Sequence, residues 1–293
     1  MDDGRKIKKK DIAKENIKRN IGRFKCPVCG GPMHLKEYGL SCSLKHSFDI
    51  SKNGYINLLT SSKRPVYPKE LFEARHRVLS RGLFDPLIDT LFFVLEKYID
   101  KRNDAFVLDA GCGEGSHLHA LYRKTDEKSK ITFIGADISK EAIHLAAASA
   151  GNILWTVADL TRLPFTDESI DILFNILSPA NYPEFERILS EDGIVIKVIP
   201  NPQYLKELRE ALYNQNRYSG DRVAEYFSNH LKVIENRDIR YQFKVDEDLL
   251  PDFIRMTPLT WGTKVDEKLD PKDIRIKEIT VDLSVLVGRK GKR

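Results

Sequence analysis

Three cysteines and one histidine near the N-terminus have a spacing that suits a metal ion. They are Cys26, Cys29, Cys42 and His46, in the arrangement Cys-x2-Cys-x12-Cys-x3-His. Three thiolates and one imidazole complete the tetrahedral set that Zn2+ prefers, and four protein ligands leave no position open for a substrate. The fourth cysteine, Cys112, stands far away in sequence, so a disulfide framework is not indicated. The pattern predicts a structural zinc site in a zinc ribbon, and unrelated free thiols beside a surface histidine are the alternative.

A glycine-rich loop in the middle of the chain is the second chemical feature. Residues 107–117 read Val-Leu-Asp-Ala-Gly-Cys-Gly-Glu-Gly-Ser-His, directly after an apolar run. Gly111, Gly113 and Gly115 allow a tight turn and a close approach to a ligand, and Asp109 ends the strand before it. A dinucleotide fingerprint reads G-x-G-x-x-G, whereas the order here is G-x-G-x-G, so no pyrophosphate is implied. The alternative is a purely structural turn.

Two more acids end the next two predicted strands. Asp137 is placed to accept hydrogen bonds from ribose hydroxyls, and Asp159 to meet the exocyclic amine of adenine. Acids at three successive strand ends, with the glycine loop, resemble the class I methyltransferases that use S-adenosylmethionine (SAM). A structural turn does not explain this series. The predicted cofactor contacts from these motifs are Asp109, Gly111, Gly113, Gly115, Asp137 and Asp159.

The elements that must position these residues alternate between strands and helices. Apolar runs predict strands at 105–109, 131–137, 153–157, 170–175 and 194–199. Such alternation is typical of a parallel α/β sheet. Further helices are predicted at 69–100 and about 203–215, and further strands at 231–244 and 279–287. The fold class is therefore α/β, with a Rossmann-like, mostly parallel, seven-stranded sheet.

Four segments follow from these patterns. Residues 1–22 are a basic tail, 23–60 a zinc ribbon for RNA recognition, 61–103 a linker and helical segment, and 104–293 the methyltransferase domain. Residues 1–25 contain ten Lys or Arg and four Asp or Glu. We expect the tail to be a disordered, solvated terminus, and binding to a polyanion is the alternative.

Composition places the 293-residue chain in the globular class. Hydrophobic residues make up 41% and charged residues 31%, with a net charge of +5. No stretch reaches the roughly 18 apolar residues that a membrane span requires, and the basic N-terminus lacks a following apolar segment. We therefore expect a cytoplasmic protein without a membrane partner.

With both motifs in one chain, the sequence resembles the RlmA family of 23S rRNA guanine-N1 methyltransferases. The resemblance extends from Phe24 to about Gly288 and includes Arg75-His-Arg, Arg162-Leu-Pro-Phe and Ser178-Pro-Ala. It implies SAM and Zn2+ as cofactors and 23S rRNA as partner. The target is then guanine 745 or 748 in the hairpin 35 loop. Residues 175–200 look closer to the 748 branch, which is linked to tylosin-type macrolide resistance.

The same resemblance implies further contacts. Phe84, Glu114 and Tyr204, mapped by their flanking motifs, are expected to bind the cofactor. Ordinary helix packing is the alternative for Phe84 and Tyr204. Class I enzymes usually receive the substrate base at the loop after the fourth strand. There Ser178 and Asn181 are candidates to bond the Watson-Crick edge and Tyr182 to stack on a flipped base, with ordinary loop chemistry as the alternative.

Guanine N1 carries a proton that must be removed before it is methylated, and no residue of the sequence is identified as the base. His76, His117 and His119 are titratable groups near the expected pocket, although a single histidine is more often a packing or surface residue.

A methyltransferase of small molecules, with the ribbon serving only dimer formation, is the alternative function. A non-catalytic SAM-binding RNA scaffold is another, and whether the chain forms a homodimer stays open.

Overall fold

A computed structural model describes residues 8–60, 67–99, 104–125, 131–213, 221–257 and 274–291. The core of the predicted linker, 61–66, and the first seven residues of the predicted tail lie outside these ranges. Within them, no helix is long and apolar enough to cross a membrane.

The N-terminal tail begins with a helix, α1 (Lys9–Arg19), followed by a 3-10 turn at Ile21–Arg23. Ile17 is fully buried. Lys9 donates hydrogen bonds to the carbonyl oxygens of Ala147 and Ala148. The expected disordered tail is therefore wrong from residue 9 onward. Burial of an apolar helix face, with long-range hydrogen bonds, overcomes the repulsion between its basic residues.

The predicted zinc ribbon forms a small antiparallel sheet with the order β1-β2-β3. Its strands are β1 (Met33–Lys36), β2 (Gly39–Cys42) and β3 (Ser47–Asp49). The next strand, β4 (Tyr55–Asn57), leaves this sheet and pairs in parallel with β7 (Ile153–Val157) of the large sheet. The ribbon is thus joined to the rest of the chain by backbone hydrogen bonds, and the predicted boundary at residue 60 does not separate two independent units.

The large sheet has the strand order β10-β11-β9-β8-β5-β6-β7-β4. Besides β4 and β7 its strands are β5 (Ala105–Ala110), β6 (Ile131–Asp137), β8 (Ile170–Ile176), β9 (Leu189–Pro200), β10 (Leu231–Lys244) and β11 (Glu278–Lys290). Only the pairings of β11 with β9 and β10 are antiparallel. The predicted seven-stranded, mostly parallel sheet is confirmed, and the short β4 extends it by one strand at the β7 edge.

Helices cover both faces of this sheet. They are α2 (Lys69–Ser80), α3 (Asp85–Ile99), α4 (Ser116–Lys124), α5 (Lys140–Ala148), α6 (Tyr182–Ile188), α7 (Lys206–Tyr213), α8 (Asp221–His230) and α9 (Leu250–Met256). Along β9, side chains alternate between the faces: Ile194 and Ile196 join one core, and Val195 and Ile199 the other. Since β5 to β9 are parallel, their carboxyl ends meet at one edge, where such sheets bind ligands.

Candidate active site and zinc centre

The ligand atoms of Cys26, Cys29, Cys42 and His46 all lie within 4.8 Å of one another. His46 Nδ1 is 3.5 Å from Cys26 Sγ and 3.3 Å from Cys42 Sγ, and the Sγ atoms of Cys29 and Cys42 are 3.6 Å apart. Tetrahedral Zn2+ with ordinary bond lengths places such ligand atoms about 3.6 to 3.8 Å apart. The four residues therefore fit a zinc ion with no open coordination position.

A cavity of about 1080 Å3 opens at the carboxyl ends of the parallel strands. The loops after β5, β6, β7 and β8 line it, together with the end of β9 and residues of α2, α7, α8 and α9. Most of the predicted site residues are among its lining: Phe84, Gly111, Gly113, Glu114, Asp137, Asp159, Ser178, Tyr182 and Tyr204. The fold thus brings together residues that are separated by more than a hundred positions in the sequence.

The glycine loop closely approaches the loop that follows β8. Gly111 has φ +86°, and a Cβ there would lie 2.0 Å from Ser178 Oγ. A side chain at this position is excluded both by the left-handed backbone and by the contact. Gly115 has a different environment, since it caps α4 and a Cβ there would lie 2.5 Å from Trp155 Cη2. The structure therefore gives Gly115 a packing role, outside the cavity lining.

Two buried carboxylates have atoms without hydrogen-bond partners among the described residues, namely both oxygens of Asp109 and Oε1 of Glu114. Glu114 lies in the loop and lines the cavity, whereas Asp109, near the end of β5, does not line it. Burial, with the negative charges of Asp137 and Glu114, raises the pKa of Asp109 to about 8. Buried unpaired acids favour a ligand that brings positive charge and hydrogen-bond donors. SAM has a sulfonium, an ammonium and ribose hydroxyls, so the acids present fit this cofactor.

Asp137 and Asp159 hold defined positions at their strand ends. Asp137 accepts from the backbone N–H of Gly113 at 2.9 Å and of Ser139 at 2.8 Å. This ties the end of β6 to the glycine loop. Asp159 Oδ1 accepts from the N–H of Thr161 at 2.9 Å and from its hydroxyl at 2.7 Å, which fixes the carboxylate after β7.

Phe84 and Tyr204, which the family resemblance implies as cofactor contacts, both line the cavity. Phe84 is buried and packs against the His117 ring at 5.3 Å, and both residues line the cavity. Burial, together with the positive charge of Arg75, lowers the pKa of His117 to about 3. His119 is different, because its ring packs on Trp155 and it does not line the cavity.

The three substrate candidates have different positions. Ser178 lines the cavity, but Asn181 does not, and its Oδ1 accepts from the N–H of Glu184 as the N-cap of α6. Tyr182 is fully buried, with its ring stacked on His230 at 5.1 Å and packed edge-on against Phe227. The expected stacking of Tyr182 on a base stays a prediction, since Tyr182 lines the cavity although its ring is buried against other side chains.

Two further lining residues were not found from the sequence. Tyr226 of α8 lines the cavity and is 51% exposed, and Lys197 of β9 lines it although its side chain is buried. For Lys197 a signal exists, since Ile-Val-Ile-Lys-Val-Ile over 194–199 places one charge within a fully apolar strand. For Tyr226 there is none, because α8 reaches the cavity only through the tertiary fold.

The fold and the cavity define a class I SAM-dependent methyltransferase with an N-terminal zinc ribbon. Residues 107–197 match the model of a methyltransferase domain, and residues 24–66 that of the RlmA N-terminal zinc ribbon. The chain is 37% identical, over 94% of its length and 100% of the relative, to YxjB of Bacillus subtilis, which is named provisionally as a 23S rRNA (guanine-N1)-methyltransferase. It belongs to the RlmA family of 23S rRNA (guanine-N1)-methyltransferases.

Another relative carries a more specific name. The 23S rRNA (guanine(748)-N(1))-methyltransferase of Streptomyces fradiae is 28% identical, over 86% of this chain and 90% of the relative. Among solved structures, a chain in a complex of the Haloferax volcanii Trm112 methyltransferase activator with a methyltransferase matches with a TM-score of 0.48 and 20% identity. That match covers 79% of this chain and all of the other.

Proposed function

We propose that this enzyme methylates N1 of a guanine in the hairpin 35 loop of 23S rRNA, with position 748 favoured over 745. The observation that carries the proposal is a single cavity with the glycine loop on one wall and the loop after β8 on the other, touching at Gly111 and Ser178. Such an arrangement aligns a cofactor and a substrate base in one space. Full-length relatives named for this reaction support the substrate, and the Streptomyces fradiae protein supports position 748.

The cofactor is expected at the acidic side of the cavity. When bound, SAM supplies an electrophilic methyl group on a sulfonium sulfur. We assign Asp137 to the ribose hydroxyls, Asp159 to the adenine amine, and the unpaired carboxyls of Asp109 and Glu114 to its positive groups. Hydrogen bonds from the ammonium of SAM would satisfy the oxygens of Asp109 and Glu114 that otherwise lack partners.

The substrate base is expected on the opposite side, between the loop after β8 and α8. Ser178 is placed to bond the base edge, and the exposed ring of Tyr226 offers a surface on which a base can stack. Arg222, on the same helix, also lines the cavity and supplies a positive charge toward the RNA backbone. This wall therefore suits an extruded nucleotide with its flanking phosphates.

Analysis of ribosomal RNA tests the proposal directly. The gene is deleted in its host, and the hairpin 35 fragment of 23S rRNA is examined by mass spectrometry and by primer extension, which stops at N1-methylguanine. We expect one methyl group to disappear and to return when the wild-type gene is restored, but not with Asp137→Ala. Restoration with Asp104→Asn, an exposed acid at the other end of β5, is the matched control. Unchanged rRNA in the deletion strain contradicts the proposal and favours a small-molecule substrate.

Primer extension also locates the methylated guanine. A stop caused by guanine 748 is expected, and a stop caused by guanine 745 would assign the enzyme to the other branch. Comparing tylosin susceptibility of the deletion and restored strains then tests the proposed link to macrolides.

A further inference from the structure

Lys197 is the only buried lysine among the described residues, with 3% of its surface exposed. It lies on β9 between Ile196 and Val198, on the sheet face shared by Val195 and Ile199. A lysine within an apolar strand is unfavourable for folding unless its amine is satisfied. Because buried titratable groups are common at functional sites, the burial of Lys197 at the wall of the proposed active site indicates a chemical role.

The Lys197 amine has two partners, and both are neutral. Nζ donates to Asn175 Oδ1 and to the carbonyl oxygen of Ser178, each at 2.5 Å. No carboxylate forms an ion pair with it in the part of the chain that the structure describes. A neutral amine has two N–H donors, which these oxygens satisfy, and one free lone pair, whereas an ammonium would have a third N–H left over. The surroundings thus match the neutral form.

The surroundings of the amine are held rigidly and lie beside the cofactor loop. The amide of Asn175 donates to the carbonyl oxygens of Ala110, at 2.6 Å, and of Pro179, at 3.1 Å, which fixes its own acceptor oxygen. The carbonyl oxygen of Ser178 accepts from the Lys197 amine, and the hydroxyl of Ser178 lies against Gly111. Ser178 therefore separates the lysine amine from the glycine loop, the wall that we assign to the cofactor.

Charged neighbours do not stabilise an ammonium here. On the surrounding elements, the titratable and charged side chains that line the cavity are Tyr182 of α6, Arg209 of α7, and Arg222 and Tyr226 of α8, and Asp109 of β5 is buried outside the lining. Burial alone lowers the pKa of Lys197 to about 8. A sulfonium in the same cavity would lower this pKa further, because like charges disfavour the protonated amine.

Three other titratable groups of the cavity, on Tyr182, His117 and Asp137, are poorer proton acceptors, and Glu114 and Asp159 are assigned to the cofactor. Asp109 does not line the cavity. Burial raises the pKa of Tyr182 to about 12, so its hydroxyl stays protonated near neutral pH. The pKa of His117 is lowered to about 3, so its imidazole binds a proton weakly. Asp137 is engaged with two backbone N–H groups. A base works best when its pKa lies near the working pH.

We propose that Lys197 is the general base that removes the N1 proton of the guanine. This inference depends on the proposed guanine-N1 reaction. The N1–H bond breaks and its proton passes to the lone pair of Lys197 Nζ, while the N1 electron pair forms the bond to the methyl carbon. The carbon–sulfur bond breaks with its electrons left on sulfur. One positive charge disappears from the sulfonium and one appears on Lys197, so the net charge of the cavity stays constant.

Single-turnover methylation of a hairpin 35 RNA, at saturating SAM and RNA, tests this role across pH 6 to 10. Lys197→Met keeps the apolar stem and removes the amine, and Lys197→Arg keeps a positive donor that cannot give up its proton. Both are expected to lose about 10^2- to 10^4-fold in rate at pH 7. The deficit of Lys197→Met shrinks as pH rises, because guanine N1 begins to ionise without help. Lys232→Met, an exposed lysine of β10, is the matched control and keeps the wild-type rate.

Two measurements that do not depend on turnover complete the test. SAM affinity by calorimetry should remain within a few-fold of wild type in Lys197→Met, which shows that the site is folded. The 13Cε resonance of Lys197, identified by its absence in that variant, should titrate below the other lysines.

Three results would overturn the inference while leaving the methyltransferase function intact. They are wild-type activity in Lys197→Met, a rate deficit that is constant across pH, and substantial activity in Lys197→Arg. A constant deficit or an active arginine variant would indicate that Lys197 only positions the loop after β8. Absence of N1-methylguanine with the wild-type enzyme would instead contradict the proposed function itself.

Discussion

Asparagine in place of Asp109 tests whether the acidic side of the cavity receives a cationic cofactor. Both oxygens of Asp109 lack a hydrogen-bond partner among the described residues, and burial with two neighbouring acids raises its pKa to about 8. At pH 7 a carboxyl group with that pKa is about 0.9 protonated. A bound cation favours the ionised form and lowers the pKa, so SAM binding must release protons from this site.

The expected size of this effect follows directly. If Asp109 is ionised in the complex, SAM binding at pH 7 releases about 0.9 proton, and SAM affinity increases as pH rises toward 8. Asp109→Asn has no proton to release. Its SAM affinity should be about 10- to 100-fold weaker, because a hydrogen bond to a charged group contributes roughly 1.5 to 3 kcal/mol.

Isothermal titration calorimetry measures the released protons. SAM is titrated at pH 7 in buffers of different ionisation enthalpy, and the slope of the apparent enthalpy gives the proton number. Asp104→Asn, at the opposite end of β5, is the control and should release as many protons as wild type. Proton release near zero in the wild type, or equal release by Asp109→Asn, would refute the assignment of Asp109 to the cationic groups of SAM.

The same raised pKa predicts the pH dependence of unfolding. Between about pH 4 and pH 8 the folded protein without SAM holds a proton on Asp109 that the unfolded chain has lost, so its free energy of unfolding falls as pH rises. Asp109→Asn lacks this dependence. In thermal melts without SAM it should be more stable than wild type at pH 8, and a lower melting temperature at that pH would contradict the buried, unpaired environment.

Further substitutions test other parts of the site. Gly111→Ala places a Cβ 2.0 Å from Ser178 Oγ and should abolish measurable SAM binding in calorimetry, whereas Gly22→Ala, with nothing within 4 Å, should not. Cys42→Ser should reduce zinc from about one equivalent to none in metal analysis and lower the melting temperature, because metal binding is coupled to folding of the ribbon. Tyr226→Ala should weaken RNA binding by about 1 to 3 kcal/mol in fluorescence anisotropy, with unchanged SAM affinity, if its exposed ring stacks on a base.

Local sequence patterns predict the parts of the fold whose causes are local. The apolar runs of the buried parallel strands and the glycine turn after β5 are continuous in sequence, so strand positions and the glycine loop follow from them. The zinc ligands follow for a similar reason, since Cys26 and Cys29 share one turn, and Cys42 and His46 another. The spacing of the cysteines and the histidine in the sequence is therefore sufficient to predict the ligand set of the metal ion.

Other features depend on contacts between distant segments and leave little trace in the sequence. The basic composition of residues 1–25 favours disorder, but Lys9 bonds to carbonyl groups near residue 147 and Asn16 to Asn152. β4 is too short to be predicted alone, and it forms because β7 offers a free edge. Asn181 is a different case, because an asparagine just before a helix can either contact a substrate base or cap the helix. In the structure its Oδ1 accepts from the N–H of Glu184, so it caps α6.

The distribution of charge in the cavity relates the two proposed roles of its walls. Glu114 and Asp137 place carboxyl groups at the cavity beside the glycine loop, with Asp109 buried outside its lining, whereas Arg222 lies on the wall formed by α8 and Lys197 on that formed by β9. A cationic cofactor is attracted to the carboxylates, and a polyanionic RNA to the guanidinium of Arg222. When the methyl group is transferred, the cofactor would lose the charge of its sulfonium and keep that of its ammonium, and Lys197, as proposed, would gain one. The acids would then attract the spent cofactor less strongly than SAM, through its ammonium alone.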